Sequence, residues 1–442
     1  MASLTVEAQT FKILHSFTAS PSGTNSDGAN PFAGLLLLGN TLYGTAYGGG
    51  TAGSGAIFKV NSDGTGFTNL HSFTAISNAM NIDGANPSSG LTLFGNALYG
   101  PTSGGTPIGG GAVFRINTDG TGFSNICVFN SNDGYCASEL VLTNNLFYSS
   151  AFYGGGQEAG DLFQLSTDGT AFGIFYNFTG GSDGYTPNGL VFSGNWLYGT
   201  AVQGGEIGFY SGCVFGVNTS GTYTNLHSFG GVNDGANPQG ILVLSGGTLY
   251  GVTLLGGTTN NGTVFKVNTD GTGYTNLYNF STLTSGTNSD GAEPYTGLLL
   301  SGKILYGMTC QGGTNGCGTV FKINTDGTGF AILYNFTSPS STVYASGINP
   351  HGALILSANT LYGTTEYSGA YSNGTVFALS LPLPSLNIKL YGNSAVLTWS
   401  DPTFSLQSAQ AVGGVYTNVI GATSPFTNTI TGQRVFYRLL GN

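Results

Sequence analysis

Carboxylates are the groups in this 442-residue sequence whose type and spacing could do chemistry. Asp27, Asp83, Asp133, Asp183, Asp234 and Asp290 recur about 50 residues apart, six acids in loops of the form xDG. Hard cations take oxygen ligands, so a Ca2+ site assembled from several loops is one reading; no segment matches an EF-hand. Turn chemistry is the other: Asp bonds its own backbone two residues on while Gly takes positive φ. A second set breaks the pattern around residue 150. Glu139 stands where glycine opens the corresponding segment elsewhere, Asp161 where Ala, Cys or Thr recurs, and Glu158 precedes Asp161 in a loop. Paired carboxylates near a pocket suit general acid and base work on a glycoside, which makes Glu139 and Asp161 the candidate catalytic pair; drift in one degenerate unit is the alternative. Glu158, Tyr135, Tyr153, Tyr185 and His351 form a candidate ligand-binding set, the rings stacking on sugar faces and the acid accepting hydroxyls. HExxH and P-loop signatures are absent, and no residue set compels an enzymatic reading.

These residues are positioned by a repeat. Tyr43, Tyr99, Tyr148, Tyr198, Tyr250, Tyr306 and Tyr362 follow an apolar residue, mostly as LYG. Phe58, Phe114, Phe163, Phe215, Phe265, Phe321 and Phe377 recur in GxVFKV-like runs, and Phe17, Phe73, Phe129, Phe178, Phe229, Phe280 and Phe336 end LHSF-like runs. Each unit carries four strand candidates, in the first unit 34–38, 41–47, 55–60 and 67–73, with an Asp-Gly hairpin signal between the last two. Four antiparallel strands per unit of about 50 residues predict a propeller blade, hence an all-β, seven-bladed β-propeller. The chain starts with a fourth-type strand at 11–17 and its seventh unit stops after a third-type strand, so the first strand completes the last blade and removes an open edge. The expected organisation is a tail at 1–10, a propeller at 11–380, a Pro linker at 381–384 and a small β-sandwich at 385–442.

Bulk composition limits the partners. Only 6% of residues are charged and 40% are hydrophobic, so a core is available and wholesale disorder is excluded. A net charge of −10 disfavours nucleic acid and anionic membranes, and no apolar run reaches the ~18 residues of a membrane span. Strand order sorts twelve acids to the top loops, while Lys12, Lys59, Arg115, Lys266, Lys303 and Lys322 fall at the bottom. Such a face predicts mutual repulsion that raises carboxyl pKa values. It also leaves a uronate, sulfate or phosphate substrate without a cationic partner. The first ten residues lack the basic segment and apolar core of a signal peptide, leaving a cytosolic protein or one whose export signal has been removed. Export would favour bridges between Cys310 and Cys317 and between Cys127 and Cys136, with Cys213 a buried thiol.

The combination SDGANP, LYGT, GGG and GxVFKVNxDGTGF resembles the GloVer-type tandem repeat of bacterial surface proteins, over residues 11–379. LTWS, FSLQSA and FYRLL resemble a small C-terminal sandwich domain common in exported proteins of similar bacteria. The resemblance implies an extracellular or cell-surface location and brings no agreed catalytic set; no anchor segment follows Asn442. The expected function is binding of a neutral glycan, a cation or a cell-surface or matrix partner. The alternatives are a glycoside hydrolase and a structural surface module.

Overall fold

The computed structural model describes residues 9–77, 81–106, 110–130, 133–208, 210–230, 233–337, 346–382, 386–399, 404–432 and 434–441. Three expectations fall wholly or partly outside them: the tail over 1–8, half of the Pro linker (383–384), and the side chain of Cys136 with its bridge to Cys127. Every regular element among the described residues is a strand. The NSDGTG hairpins show why. Asp63 accepts the Thr65 N–H at 2.8 Å, Gly64 sits at φ 88°, and its N–H reaches the Asn61 carbonyl at 2.8 Å. A short polar side chain and a left-handed glycine thereby close the turn and set the register of the flanking strands.

In the first sheet Leu36–Leu38, Thr41–Ala46, Ala56–Asn61 and Thr68–Ser72 pair in sequence order, all antiparallel. Six further sheets of four or five strands repeat this order. The last of them joins Ile355–Ser357, Thr360–Thr365 and Thr375–Ser380 to Thr10–Ser16, from the opposite end of the chain. Residues 404–409 and 436–441, with Thr417–Asn418, make one three-stranded sheet, and Asn387–Tyr391, Ser394–Thr398 and Phe426–Thr429 another. Leu397 and Trp399 of the one pack with Phe404 and Leu406 of the other.

The recurring phenylalanines hold successive sheets together. Phe73, at the end of the first sheet, meets Phe114 of the second edge to face at 5.6 Å, and Phe336 of the sixth meets Phe377 of the seventh at 5.4 Å. Phe17 from the N-terminal strand meets Phe58 of the first sheet at 5.2 Å, so the seventh sheet packs on the first. All of these rings are fully buried. Each contributes about 2 kcal/mol of apolar burial, with up to about 1 kcal/mol more from the edge-to-face geometry. The recurring tyrosines are buried in the same layers, and the glycine that follows six of them, Ser149 standing in its place after Tyr148, is tightly enclosed: a Cβ on Gly44 would stand 2.6 Å from the Phe58 ring and 2.8 Å from Leu35.

The expected Cys310–Cys317 bridge is not formed. Thr309 pairs with Thr319, which sets Cys310 opposite Gly318 and leaves Cys317 one residue out of step, on the other face of the pleat. The Cys310 thiol meets the Pro350 carbonyl at 3.3 Å and the Cys317 thiol the Asn315 carbonyl at 3.3 Å. Cys213 is fully buried, and burial pushes its thiol up to about 12.

Candidate functional site

The loops entering each sheet pair with the loops between its second and third strands, which puts both classes at one end of the molecule. Ala29 and Gly48 exchange backbone hydrogen bonds at 2.8 and 2.9 Å, and Ala292 and Gln311 repeat the pattern at 2.8 and 3.1 Å. At this end the opening strands crowd together. A Cβ on Gly352 would lie 2.3 Å from the Ala33 carbonyl, and one on Gly297 2.8 Å from that of Ile241. Glycine permits this approach, and a cavity of about 150 Å³ is left on the axis.

Seven residues ring the cavity mouth, one from each repeat: Phe32, Ser88, Ser138, Asn188, Gln239, Tyr295 and His351. Six of them directly follow a proline (Pro31, Pro87, Pro187, Pro238, Pro294, Pro350), and Ser138 holds the same place in the third repeat. One arc is aromatic. Phe32 stacks on His351 at 4.5 Å, and Tyr295 tilts against His351 at 4.5 Å. The facing arc is neutral and polar, with Asn188 Nδ2 donating to Gln239 Oε1 at 3.3 Å. Beside it lies a second cavity of about 290 Å³, lined by Phe32, Tyr47, Ser88, Ser103, Phe152 and Glu366. Among the described residues no Lys or Arg lines either cavity.

An acid and a histidine at the mouth carry perturbed pKa values, as does Tyr295. Glu139 reaches across to the second repeat, where a Cβ on Gly90 would meet its Oε2 at 2.7 Å. Enclosure by the cavity walls pushes its carboxyl up to about 7. Burial drives His351 down to about 4, and its Nε2 lies 3.3 Å from Glu366 Oε2, too long a contact to offset the lost solvation. His351 is therefore a neutral ring at pH 7, and its buried Nδ1 has no partner among the described residues.

The other expected ligand residues lie at the same end. Phe152 and Tyr153 alternate across one strand, Phe152 toward the cavities and Tyr153 outward. Tyr153 lies 5.5 Å from Tyr135 and 6.3 Å from Tyr185, so these three rings are brought together. Burial first, then nearby Cys310, Glu366 and Tyr153, raise the Tyr295 phenol, which sets Tyr153 near the mouth. Glu158 stands exposed at a left-handed turn position, φ 56°.

Glu139 and Asp161 are not brought together. Glu139 lines the axial cavity and Asp161 does not, and neither carboxyl perturbs the other. Asp161 is fully buried at the start of Asp161–Ser166, and burial, then Asp133, pushes it up to about 8.

The six xDG aspartates serve their own loops. Asp27 accepts from the Thr18 N–H at 3.0 Å and faces His15 Nε2 at 2.9 Å; Asp83 does the same with Thr74 at 3.1 Å and His71 at 3.0 Å. In Asp183 and Asp290 a tyrosine replaces histidine, Tyr176 donating at 3.0 Å and Tyr278 at 2.8 Å. Asp234 faces His227 at 3.1 Å, while among the described residues Asp133 is met by the amides of Asn130. Among the described residues no three His, Cys, Asp or Glu converge in a metal-holding group. The expected rise of pKa by mutual repulsion is corrected. Burial raises Asp27, Asp83 and Asp234, but bonds from His and from Thr, Tyr or backbone outweigh it, and all three end below the usual carboxylate value. Glu139, Asp161 and Glu293 rise, each chiefly through burial.

Sequence reasoning missed Phe32 and Phe152 at the mouth. The available signal was variation: after a recurring proline, one position changes in nearly every unit. It also missed the bond from a fourth-strand His or Tyr to the next loop's Asp, because seven or twelve residues separate the partners, as in His227–Asp234 and His15–Asp27.

Comparison with known proteins agrees with this architecture. No curated protein matches the chain in sequence. An oligogalacturonate lyase of Vibrio parahaemolyticus is 11% identical, over 85% of this chain and 98% of its own, with a TM-score of 0.51. An oligogalacturonate lyase solved in complex with manganese gives 11% identity over 85% and 96%, with a TM-score of 0.52. At such identity the likeness is one of fold, propeller-like and all-β. The model of the Gloeobacter/Verrucomicrobia repeat matches residues 2–210, 135–288 and 208–419, and the chain belongs to that repeat family.

Proposed function

We propose that this chain is a binding module of the extracellular space or cell surface, a closed seven-bladed propeller over residues 11–380 with a small sandwich over 385–442. Its ligand is a neutral glycan, held at the axial mouth. The observation that carries this reading is the ring of post-proline residues, in which Phe32, Tyr295 and His351 face Ser88, Asn188 and Gln239. A sugar offers an apolar ring face and an edge of hydroxyls, which is what an aromatic wall opposite amides and hydroxyls complements. Glu139 adds an acceptor at the floor. The same wall lacks the cation that a polyuronate, such as the one in the name of the lyase neighbours, would need. A glycoside hydrolase acting through Glu139 and Asp161 is not favoured, since only one of the two carboxyls lines the cavity.

The test is a panel of neutral and anionic oligosaccharides read by calorimetry with the full chain. Binding of a neutral member, weakened at least tenfold by Tyr295→Ala and by Gln239→Ala, supports the reading. Binding confined to polyanions, or neutral binding that neither substitution changes, overturns it.

A further inference from the structure

Asp161 is fully buried, and neither of its carboxylate oxygens has a hydrogen-bond partner among the described residues. The same place in the other repeats holds Ala56, Ala112, Cys213, Thr263, Thr319 and Thr375. Where it is Thr the polar atom is answered, as by Thr309 Oγ1 at 3.0 Å from Thr319 Oγ1. Asp161 instead lies across from Ala151. A buried carboxylate without donor or countercharge costs several kcal/mol, so this group either keeps its proton or is answered by a cation that no side chain among the described residues supplies.

The surroundings specify which cation. A Cβ on Gly134 would lie 2.6 Å from Asp161 Oδ2 and 3.0 Å from the Tyr153 carbonyl. One on Gly155 would lie 3.3 Å from Oδ2, 2.8 Å from Asn177 Oδ1 and 3.4 Å from the Gly160 carbonyl. Beside Gly134 the Ala151 methyl also lies close, at 2.5 Å, whereas the three nearest atoms to the point beside Gly155 are all oxygens. Asp133 adds a second carboxylate close enough to perturb Asp161. The fourth-strand position that gives the other xDG acids a His or Tyr donor is Cys127 here, and among the described residues the hydrogen bonds seen at Asp133 come from Asn130. No Lys, Arg or His forms an ion pair with either acid among the described residues.

We propose that the third repeat holds a hard divalent cation, Ca2+ by its ligand chemistry, between the carboxylates of Asp161 and Asp133 and the oxygens beside Gly134 and Gly155. The donors are carboxylate, amide and carbonyl oxygens with no nitrogen or thiolate, the set that Ca2+ selects. This site is separate from the axial mouth and does not depend on the glycan reading.

The test uses the full chain stripped with a chelator. Millimolar Ca2+ is expected to raise the melting midpoint by about 2 °C or more over ionic-strength-matched NaCl. Tb3+ is expected to give tyrosine-sensitised luminescence that Ca2+ displaces, Tyr153 and Tyr135 being the adjacent rings. Both signals vanish in Asp161→Asn and in Asp161→Thr, the latter installing the residue of three other repeats, and both persist in Asp83→Asn. A wild-type midpoint that Ca2+ moves no more than NaCl does, or either signal surviving in Asp161→Thr, overturns the proposal; the Tb3+ reading on folded wild type decides even where Asp161→Asn fails to fold.

Discussion

In the sixth repeat, the aspartate of the entering loop, Asp290, accepts from Tyr278 at 2.8 Å and Ser281 N at 2.9 Å, and Thr309 and Thr319 pair behind it. In the third, the corresponding Asp133 is met among the described residues by Asn130, Cys127 replaces the tyrosine, and Ala151 and Asp161 replace the threonines. The strands and turns are alike; the polar bookkeeping is not. Among the described residues the sixth repeat leaves no buried side-chain oxygen or nitrogen without a partner, whereas the third leaves both Asp161 oxygens without one. Regular repeats show what the fold requires, so a unit that departs from them at several linked positions marks where something besides folding was selected.

The largest expected contrast comes from deleting the two loop acids. Asp290→Ala strands the Tyr278 hydroxyl and the Ser281 N–H and is expected to cost about 3 kcal/mol, against under about 1 kcal/mol for Asp133→Ala in chelator. Urea midpoints measure both, and equal losses would erase the distinction between the repeats. Next in size, Ala151→Thr with Asp161→Thr copies the Thr309–Thr319 pair into the third repeat. At pH 8 in chelator it is expected to stabilise by about 1–2 kcal/mol through removal of a buried carboxylate; destabilisation would mean that the third repeat cannot accept its neighbours' packing.

Asp161 and the other acids also predict opposite pH limbs. The Asp161 pKa is raised from 3.8 to about 8, so its contribution is full below about 4 and is lost as pH rises through about 8. Asp27, Asp83 and Asp234 are lowered, so theirs is present above about 4 and is lost as pH falls through their depressed values. The titratable groups beside Asp161 are Asp133 and, through it, Cys127, which burial and Asp133 push up to about 11, beyond the window. In chelator, Asp161→Asn is expected to flatten the alkaline decline of the melting temperature and leave the acid limb intact; loss of the acid limb instead would reverse the assignment. Glu139, raised to about 7, adds a decline of the same sign, which Glu139→Gln separates. The smallest effect belongs to the exposed hairpins. Asp63→Asn keeps an acceptor for the Thr65 N–H and is expected to leave the urea midpoint unchanged.

The sequence by itself determined the strands, their order and the partner of the N-terminal strand. Strand pattern and turn chemistry are local: Asp63-Gly64 closes its hairpin with atoms at most a few residues apart, and Tyr43 and Phe58 recur because each unit packs the same layer. It also pointed to the third repeat, since Glu139 and Asp161 break a pattern visible along one chain. Tertiary structure alone decided what those residues meet. Glu139 and Asp161, twenty-two residues apart in one unit, separated into an axial cavity and a closed loop. Phe32 and His351, from opposite ends of the repeat series, came to stack at 4.5 Å. Burial and the donors each carboxyl finds follow from which strands converge on the axis and how loops fold over one another, and those distances arise only when all the sheets are packed together.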